Sequence, residues 1–394
     1  MKKKVAIITK KLIIGGIEKC LLEMLDAMDL DEIDITLFIE EEMPQGGFQE
    51  FIPPQIKIKN IFADEESIKT KIIKNLKNRD LKKAIQLFLS GIKIYYYNVY
   101  YKKPTCKIRQ PICLTLDCYP DQFDLAISYH NPVSFSVLYT IDKIKANKKV
   151  MWIHSNIEEY IEEVDTYKSY FPKFDKIFAV SSGGKDSFIS RYPYLEDSTD
   201  IFYNRIVKKK IQEKVNKNIK VFPNKAKKII LTTARLSPEK GVDFIPEVAK
   251  KLKDAGYLFE WYILGDGNRK LVMDGIEKLG LSDTIFLLGN QMNPYNYFYE
   301  CDIYVQPSRF EGYVTTITEA KCLEKPIVGT NIIGINDQIT NGVNGLLVNK
   351  DVDSLYQGIK QLFDNPELKK RLVSNLKREE IDTTNEIQKL YDLL

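Results

Sequence analysis

Two α/β domains joined by a polar linker are predicted by three observations on this 394-residue sequence. Short apolar runs end in polar or glycine-bearing loops and pass into helical patterns, the rhythm of open parallel sheets. A stretch rich in lysine and asparagine, residues 204 to 225, has little apolar periodicity and separates one such series from a second. The length suffices for two domains of ordinary size, and 44% hydrophobic content supports a core in each.

The first series begins with KKVAIIT, Lys3 to Thr9, a strand-like run entering a loop that contains Gly15 and Gly16. A helical pattern follows from Ile17. Paired glycines there permit close backbone approach to a ligand, against the plainer reading of a flexible βα turn. ITLFIE, LAISYH and KVMWIHS are further strand candidates, and His130 and His154, the two histidines of the chain, end the last two. His154 is the better candidate for a cleft residue, and His130 reads as a structural loop histidine. Residues 68 to 109 hold twelve Lys/Arg against one acidic residue, Asp80, in a chain of net charge +4. Within them an apolar run with clustered tyrosines suits an amphipathic element at an anionic bilayer surface. A solvated helix with core-facing tyrosines is the alternative, and no recognised nucleic-acid motif accompanies the charge.

The second series opens with IILTT, Ile229 to Thr233, followed by ARLSPEKG, Ala234 to Gly241. An arginine fork at Arg235 and a point charge at Lys240 beside a helix start suit a diphosphate; alone, such residues are solvated loop charges. Gly265 to Gly267 is not a dinucleotide fingerprint, because Lys270 stands where the last glycine of G-x-G-x-x-G belongs. DIYVQPS, Asp302 to Ser308, reads as a strand and Thr315 to Leu323 as a helix, so EGYV is a strand-to-helix loop of the ligand-binding kind. Gly312 lets the backbone pass close to a ligand, and Glu311 sits at the loop mouth. Glu319 lies a turn into the helix, where it either binds a ligand or completes a Thr316-x-x-Glu319 capping box.

In order, ARLSPEKGVD, ILGDGNR, LLGNQMN, the Glu-x7-Glu segment from Glu311 to Glu319, and INDQITNGVNGLLV resemble the retaining glycosyltransferases of family 4. The resemblance implies the GT-B fold, two Rossmann-like domains facing each other across a cleft. It implies domains 1–204 and 205–371, and a helix from 372 to 394 crossing back to the first. Arg235 and Lys240 are then expected on the donor diphosphate, Glu319 on the ribose, and Glu311 on the transferred sugar, with Gly312, Tyr313, Val314 and Thr315 shaping its pocket. Gly289 and Asn290 face the base, Gly15 and Gly16 face the donor and acceptor, and His154 contacts the donor sugar. Asn204 resembles the asparagine that opens the interdomain linker, although Arg205 replaces the glycine that usually follows it.

The implied activity is transfer of a hexose or N-acetylhexosamine from a UDP-sugar to a glycan acceptor, lipid-linked in view of the basic, aromatic stretch. Capsule, exopolysaccharide or teichoic-type assembly is the expected bacterial setting, given a lysine-, isoleucine- and asparagine-rich composition. No cofactor and no metal are expected: Asp29-x-Asp31 and Asp351-x-Asp353 lie outside any plausible donor loop, and the six cysteines lack zinc spacing. The opening lysines lead into a strand rather than a cleavable segment, and no run reaches spanning length, so the chain is expected in the cytoplasm, peripheral at the inner face of the plasma membrane. Two rivals stay open. A UDP-sugar epimerase of the same fold would convert donor without acceptor, and a non-catalytic partner subunit would bind no nucleotide.

Overall fold

A computed structural model describes residues 2–13, 15–41, 48–63, 65–100, 106–223 and 227–394. The chain divides into two compact units, Met1–Arg205 with Asn385–Leu394, and Ile206–Thr384.

The first unit is built on seven parallel strands, β1 (Lys3–Thr9), β2 (Ile33–Ile39), β3 (Lys57–Asn60), β4 (Gln122–Ser128), β5 (Lys145–Ile153), β6 (Lys176–Ala179) and β7 (Thr199–Ile201). Their order is β3-β2-β1-β4-β5-β6-β7. Val5 to Ile8 of β1 have no exposure, which is why a central strand covered on both faces reads as one continuous apolar run. At the edge, β3 alternates lysine with half-buried residues instead. The order reverses between β1 and β4, and at such a switch point the loops leaving the strands diverge and open a crevice. Helix α1 (Gly16–Leu25) follows β1, with Gly15 as its N-cap. Between β3 and β4 lie α2 (Ile68–Lys77), α3 (Leu81–Tyr100) and α4 (Cys106–Thr115). The basic, aromatic stretch is thus helical; its residues 101–105 lie outside those described.

The second unit repeats the plan with β8 (Lys228–Thr233), β9 (Phe259–Leu264), β10 (Ile285–Gly289), β11 (Ile303–Gln306), β12 (Ile327–Thr330) and β13 (Leu346–Val348). The order β10-β9-β8-β11-β12-β13 places its switch point between β8 and β11. The helix Ile245–Asp254 shows how the faces are covered. Ile245, Val248, Ala249 and Leu252, at helical spacing, are buried against Trp261 and Ile263 of β9. Pro246 is at home in its first turn, where no N–H is needed.

Two expectations change. From Ile206 onward the stretch expected as a linker belongs to the second unit, where Lys208–Glu213 is a helix and Ile206, Ile211 and Phe222 enter the core. Its apolar anchors are too thinly spaced to register as periodicity, and its residues 224 and 225 lie outside those described. The helix expected from 372 is also divided. One helix, Pro366–Arg378, ends within the second unit. Thr383 then exchanges hydrogen bonds with Ile206, its N–H donating to the Ile206 carbonyl at 3.1 Å and its hydroxyl accepting from Ile206 N–H at 2.8 Å. That pairing holds the chain out of helical conformation. Residues 385–394 join the first unit, where Lys389 donates to the Ile201 carbonyl and the Tyr391 hydroxyl accepts from Asp29 N–H.

Candidate functional site

The loop leaving β8 is fixed from below. Leu236 is buried in the core, so its neighbour Arg235 points outward and is exposed. Among the described residues the Arg235 guanidinium has no hydrogen-bonded side-chain partner. A short turn, Pro238–Lys240, is closed by Gly241 in the left-handed region, φ 64°. A side chain there would meet the Pro307 carbonyl oxygen at 1.9 Å, so only glycine lets the β8 and β11 loops approach this closely.

Arg309 ties the same two loops together by charge. Its guanidinium donates to both Asp243 oxygens, at 2.6 and 2.7 Å, and to the Pro238 carbonyl at 2.7 Å. It also lies over the Phe244 ring, 3.8 Å from the centroid. The Glu239 carbonyl meanwhile accepts from Arg309 N–H at 2.8 Å.

This clamp brings Lys240 to Glu311, with Nζ donating to Oε2 at 2.6 Å. The Glu311 side chain is only 7% exposed and that of Lys240 25%. Beneath them runs a polar layer. Ser308 Oγ donates to Glu311 Oε1 at 2.7 Å, and Gln306 Nε2 donates to Ser308 Oγ at 2.7 Å. The Tyr304 hydroxyl lies 2.7 Å from Thr316 Oγ1, which in turn donates to Gln306 Oε1 at 3.3 Å. Tyr304, Gln306 and Ser308 share one face of the strand and its extension, while Ile303 and Val305 enter the core on the other. Strand alternation therefore fixes the polar residues under the carboxylate.

Gly312 is buried, and its carbonyl oxygen would stand 2.6 Å from a side chain at Gly334, which has φ 84°. The β12 loop thus closes on the Glu311–Gly312 backbone. The helix Thr315–Cys322 begins with Val314 as its N-cap and no side-chain cap bond. Thr316 lies inside the helix with its hydroxyl engaged by Tyr304 and Gln306, so the capping-box reading of Glu319 falls. Glu319 is 3% exposed. Val314 turns its side chain into the core, Tyr313 and Thr315 are half-buried, and Tyr313 OH lies 3.2 Å from Thr318 Oγ1. Gly289 ends β10 and its carbonyl accepts from Gly265 N–H at 2.8 Å; Asn290 beyond it is exposed. The two aspartate pairs are elsewhere: Asp351 caps the helix Val352–Asp364, and Asp29 accepts from Asp31 N–H in a turn.

The remaining candidates belong to the first unit. Gly15 is extended, φ −160°, and the Glu18 carboxylate occupies the place where its side chain would be. Gly16 opens α1. His154 follows β5 and its Nε2 is 2.8 Å from the Tyr129 carbonyl oxygen. Burial pushes the His154 imidazole down to about 4, against the opposing pull of that carbonyl. His130 follows β4; burial, then His154 and the cations Lys10, Lys11 and Arg109, push it down to about 3. Its Nδ1 has no partner among the described residues. Glu40, just past β2, is raised by burial against the pull of Arg109 and Lys10.

Glu40, Gln306, Ser308, Arg309 and Gly334 escaped the sequence reading. Period-two polarity in Tyr304-x-Gln306-x-Ser308 was the one available signal.

Residues 202–379 match the family model for glycosyl transferases, group 1. An uncharacterized glycosyltransferase of Methanocaldococcus jannaschii is 29% identical over 225 residues, 53% of this chain and 55% of that protein. The N-acetylgalactosamine-N,N'-diacetylbacillosaminyl-diphospho-undecaprenol 4-alpha-N-acetylgalactosaminyltransferase of Campylobacter jejuni is 26% identical over 224 residues, 56% of this chain and 59% of that one. The chain thus spans little more than half the length of these curated relatives. Among solved structures, Anabaena HepE in complex with UDP and glucose aligns with TM-score 0.72 and 15% identity over 99% of this chain and 98% of that one, a likeness of fold. With two parallel-sheet units of Rossmann type, matched over nearly their whole length by solved structures such as HepE, the chain has the GT-B fold, and its residues 202–379 are similar to the group 1 glycosyl transferases.

Proposed function

We propose that the chain is a retaining glycosyltransferase that moves a hexose or N-acetylhexosamine from a UDP-sugar to a lipid-linked glycan acceptor in bacterial surface-polysaccharide assembly. The observation that carries this reading is the Lys240–Glu311 ion pair at the β8/β11 switch point, with Arg235 exposed on the same loop. A lysine ammonium has three N–H donors. One is given to Glu311, and the others are available to phosphate oxygens, so Lys240 stands between a carboxylate and a diphosphate that would otherwise repel. Arg235 adds a fork for the same oxygens. Their charge stabilises the departing phosphate as the bond from the sugar's anomeric carbon to the phosphate oxygen breaks.

Glu311, held by Ser308 and Lys240, faces the positive charge that develops on the sugar. The acceptor hydroxyl oxygen bonds to the anomeric carbon on the face the phosphate leaves, and its proton passes to the leaving phosphate oxygen. The chemistry needs neither a protein nucleophile nor a metal ion. Glu319, buried in the following helix, takes the ribose. The diphospho-undecaprenol in the name of the Campylobacter relative supports a lipid-linked acceptor, reached at an anionic membrane surface through residues 68–109. By the family resemblance the donor sugar is assigned to His154, whose imidazole burial keeps neutral.

A thermal-shift panel of UDP, GDP, ADP and UDP-sugars, with and without magnesium, tests the reading. UDP and one UDP-sugar raise the melting temperature whether or not magnesium is present. Glu319→Ala weakens the UDP shift, while Glu311→Ala preserves it and lowers turnover. A chain that no nucleotide stabilises is a partner subunit instead.

A further inference from the structure

Helix α3 has two apolar faces. The inner one, Ala84 and Leu87 at 3% and 1% exposure with Ser90, packs into the first unit. Stepping about 100° per residue, the other lies roughly opposite. Leu81, Ile85, Phe88, Ile92, Tyr95 and Val99 recur every three or four residues and are all exposed, Phe88 at 57% and Tyr95 at 75%. Leu89, Tyr96 and Tyr100 widen this stripe, and Ile73 and Leu76 of α2 are exposed as well. A surface helix ordinarily turns polar residues to water, so a face this apolar calls for a covering. Among the described residues no helix is long and apolar enough to cross a membrane.

We propose that the outer face of α3, with its α2 flank, docks on an anionic lipid bilayer, lying in the headgroup plane with Phe88 and Ile92 at the centre of contact. It deepens the lipid-linked acceptor reading, on which its setting rests. Charge selects the bilayer over a second copy of this chain. Lys69, Lys77, Arg79, Lys82 and Lys93 are exposed and without an ion pair among the described residues. Asp80 is the one acidic residue from 68 to 109. Self-pairing through α3 would bring these cations together, whereas an anionic surface neutralises them. The stripe is also broader than the narrow seam of a helix pair, and its tyrosines suit the water-to-lipid boundary.

Flotation of the full chain with vesicles of phosphatidylcholine alone, or with 30% phosphatidylglycerol, tests this. The expected result is at least tenfold stronger partition onto the anionic vesicles. Phe88→Ser with Ile92→Ser lowers it at least tenfold while leaving the UDP melting shift intact, and Lys82→Glu with Lys93→Glu removes the preference for anionic lipid. Three results overturn the proposal: a wild-type chain that floats with neither vesicle, a Phe88/Ile92 variant that floats like wild type, or a lipid-free dimer in sedimentation that the same variant dissolves. A chain that floats yet ignores UDP keeps the docking surface and loses the transferase reading; one that binds UDP and never floats does the reverse.

Discussion

At the β8/β11 strand ends of the second unit an ammonium and a carboxylate stand 2.6 Å apart, whereas at the β4 and β5 strand ends of the first unit the histidines are held neutral by burial. Both places lie where strands of a parallel sheet end, the first of them at a topological switch point. The fold supplies the position and the local sequence supplies the charge. Where ARLSPEKG leaves the strand, arginine and lysine remain within reach of water and of an anionic ligand. Where WIHS leaves its strand, the Tyr129 carbonyl lies 2.8 Å from His154 Nε2 and the Tyr129 ring packs against the imidazole with centroids 4.8 Å apart.

The largest effect that could break this contrast is removal of Lys240. In Lys240→Ala the Glu311 carboxylate, 7% exposed, is left without its counter-charge. A fully buried orphan of this kind costs ~3–5 kcal/mol, and because Lys240 is partly solvated about 2 kcal/mol of stability is the expected loss. On the proposed chemistry sugar transfer falls by ~100-fold or more, because Lys240 is the charge assigned to the leaving phosphate. In Lys240→Ala with Glu311→Ala, denaturant unfolding should recover most of the stability while transfer stays lost. Strictly additive stability losses would mean that the two side chains are not coupled.

The first unit should respond to acid instead. An unfolded histidine takes its proton near 6.5, whereas His154 in the folded chain does so only near 4. Between those values the unfolded state binds more protons, so stability falls as pH drops from about 6.5 to about 4, by up to about 3 kcal/mol for His154. Above 6.5 both states are neutral and the contribution is flat. Urea unfolding between pH 7 and pH 4, wild type against His154→Gln, reads this directly. An equal slope in both chains would remove His154 as a source of acid sensitivity. The same depression predicts that transfer activity shows no histidine limb between pH 6 and 8.

These two sites were unequally legible in the sequence. Arg235, Lys240 and Glu311 stand out because each lies in a loop that leaves an apolar strand. Gly312 was read as the residue allowing close approach, yet Gly334, a loop away, carries the positive φ and presses on the Gly312 carbonyl. Nothing local to Gly334 announces that contact, since it depends on how β11 and β12 pair. Thr316 and Glu319 match a capping box in spacing, but where a helix begins is decided by the chain that enters it, and Val314 holds the cap. The tail misled for a similar reason. The helix from 372 is what the family resemblance implies, while past Arg378 the backbone is claimed by Ile206 through contacts far apart in sequence.

The smallest effect sharpens the comparison most, because it separates holding the charged site together from doing its chemistry. Arg309 binds Asp243 through two parallel hydrogen bonds and covers Phe244, and an ammonium cannot reproduce the two-point fork. Arg309→Lys keeps the charge, so any loss reports geometry. The pair is partly exposed, and about 1 kcal/mol of stability is the expected loss. If Arg309 positions the β8 loop against the β11 loop, donor KM rises several-fold as Arg235 and Lys240 lose their fixed placement, with kcat nearly unchanged because Glu311 keeps Ser308 beneath it. A fall in kcat at constant KM would instead place Arg309 among the groups that act in the transition state. The first unit supplies the control: Arg191 makes a bidentate pair with Asp165 away from its switch point, and Arg191→Lys should leave both kinetic constants where they were.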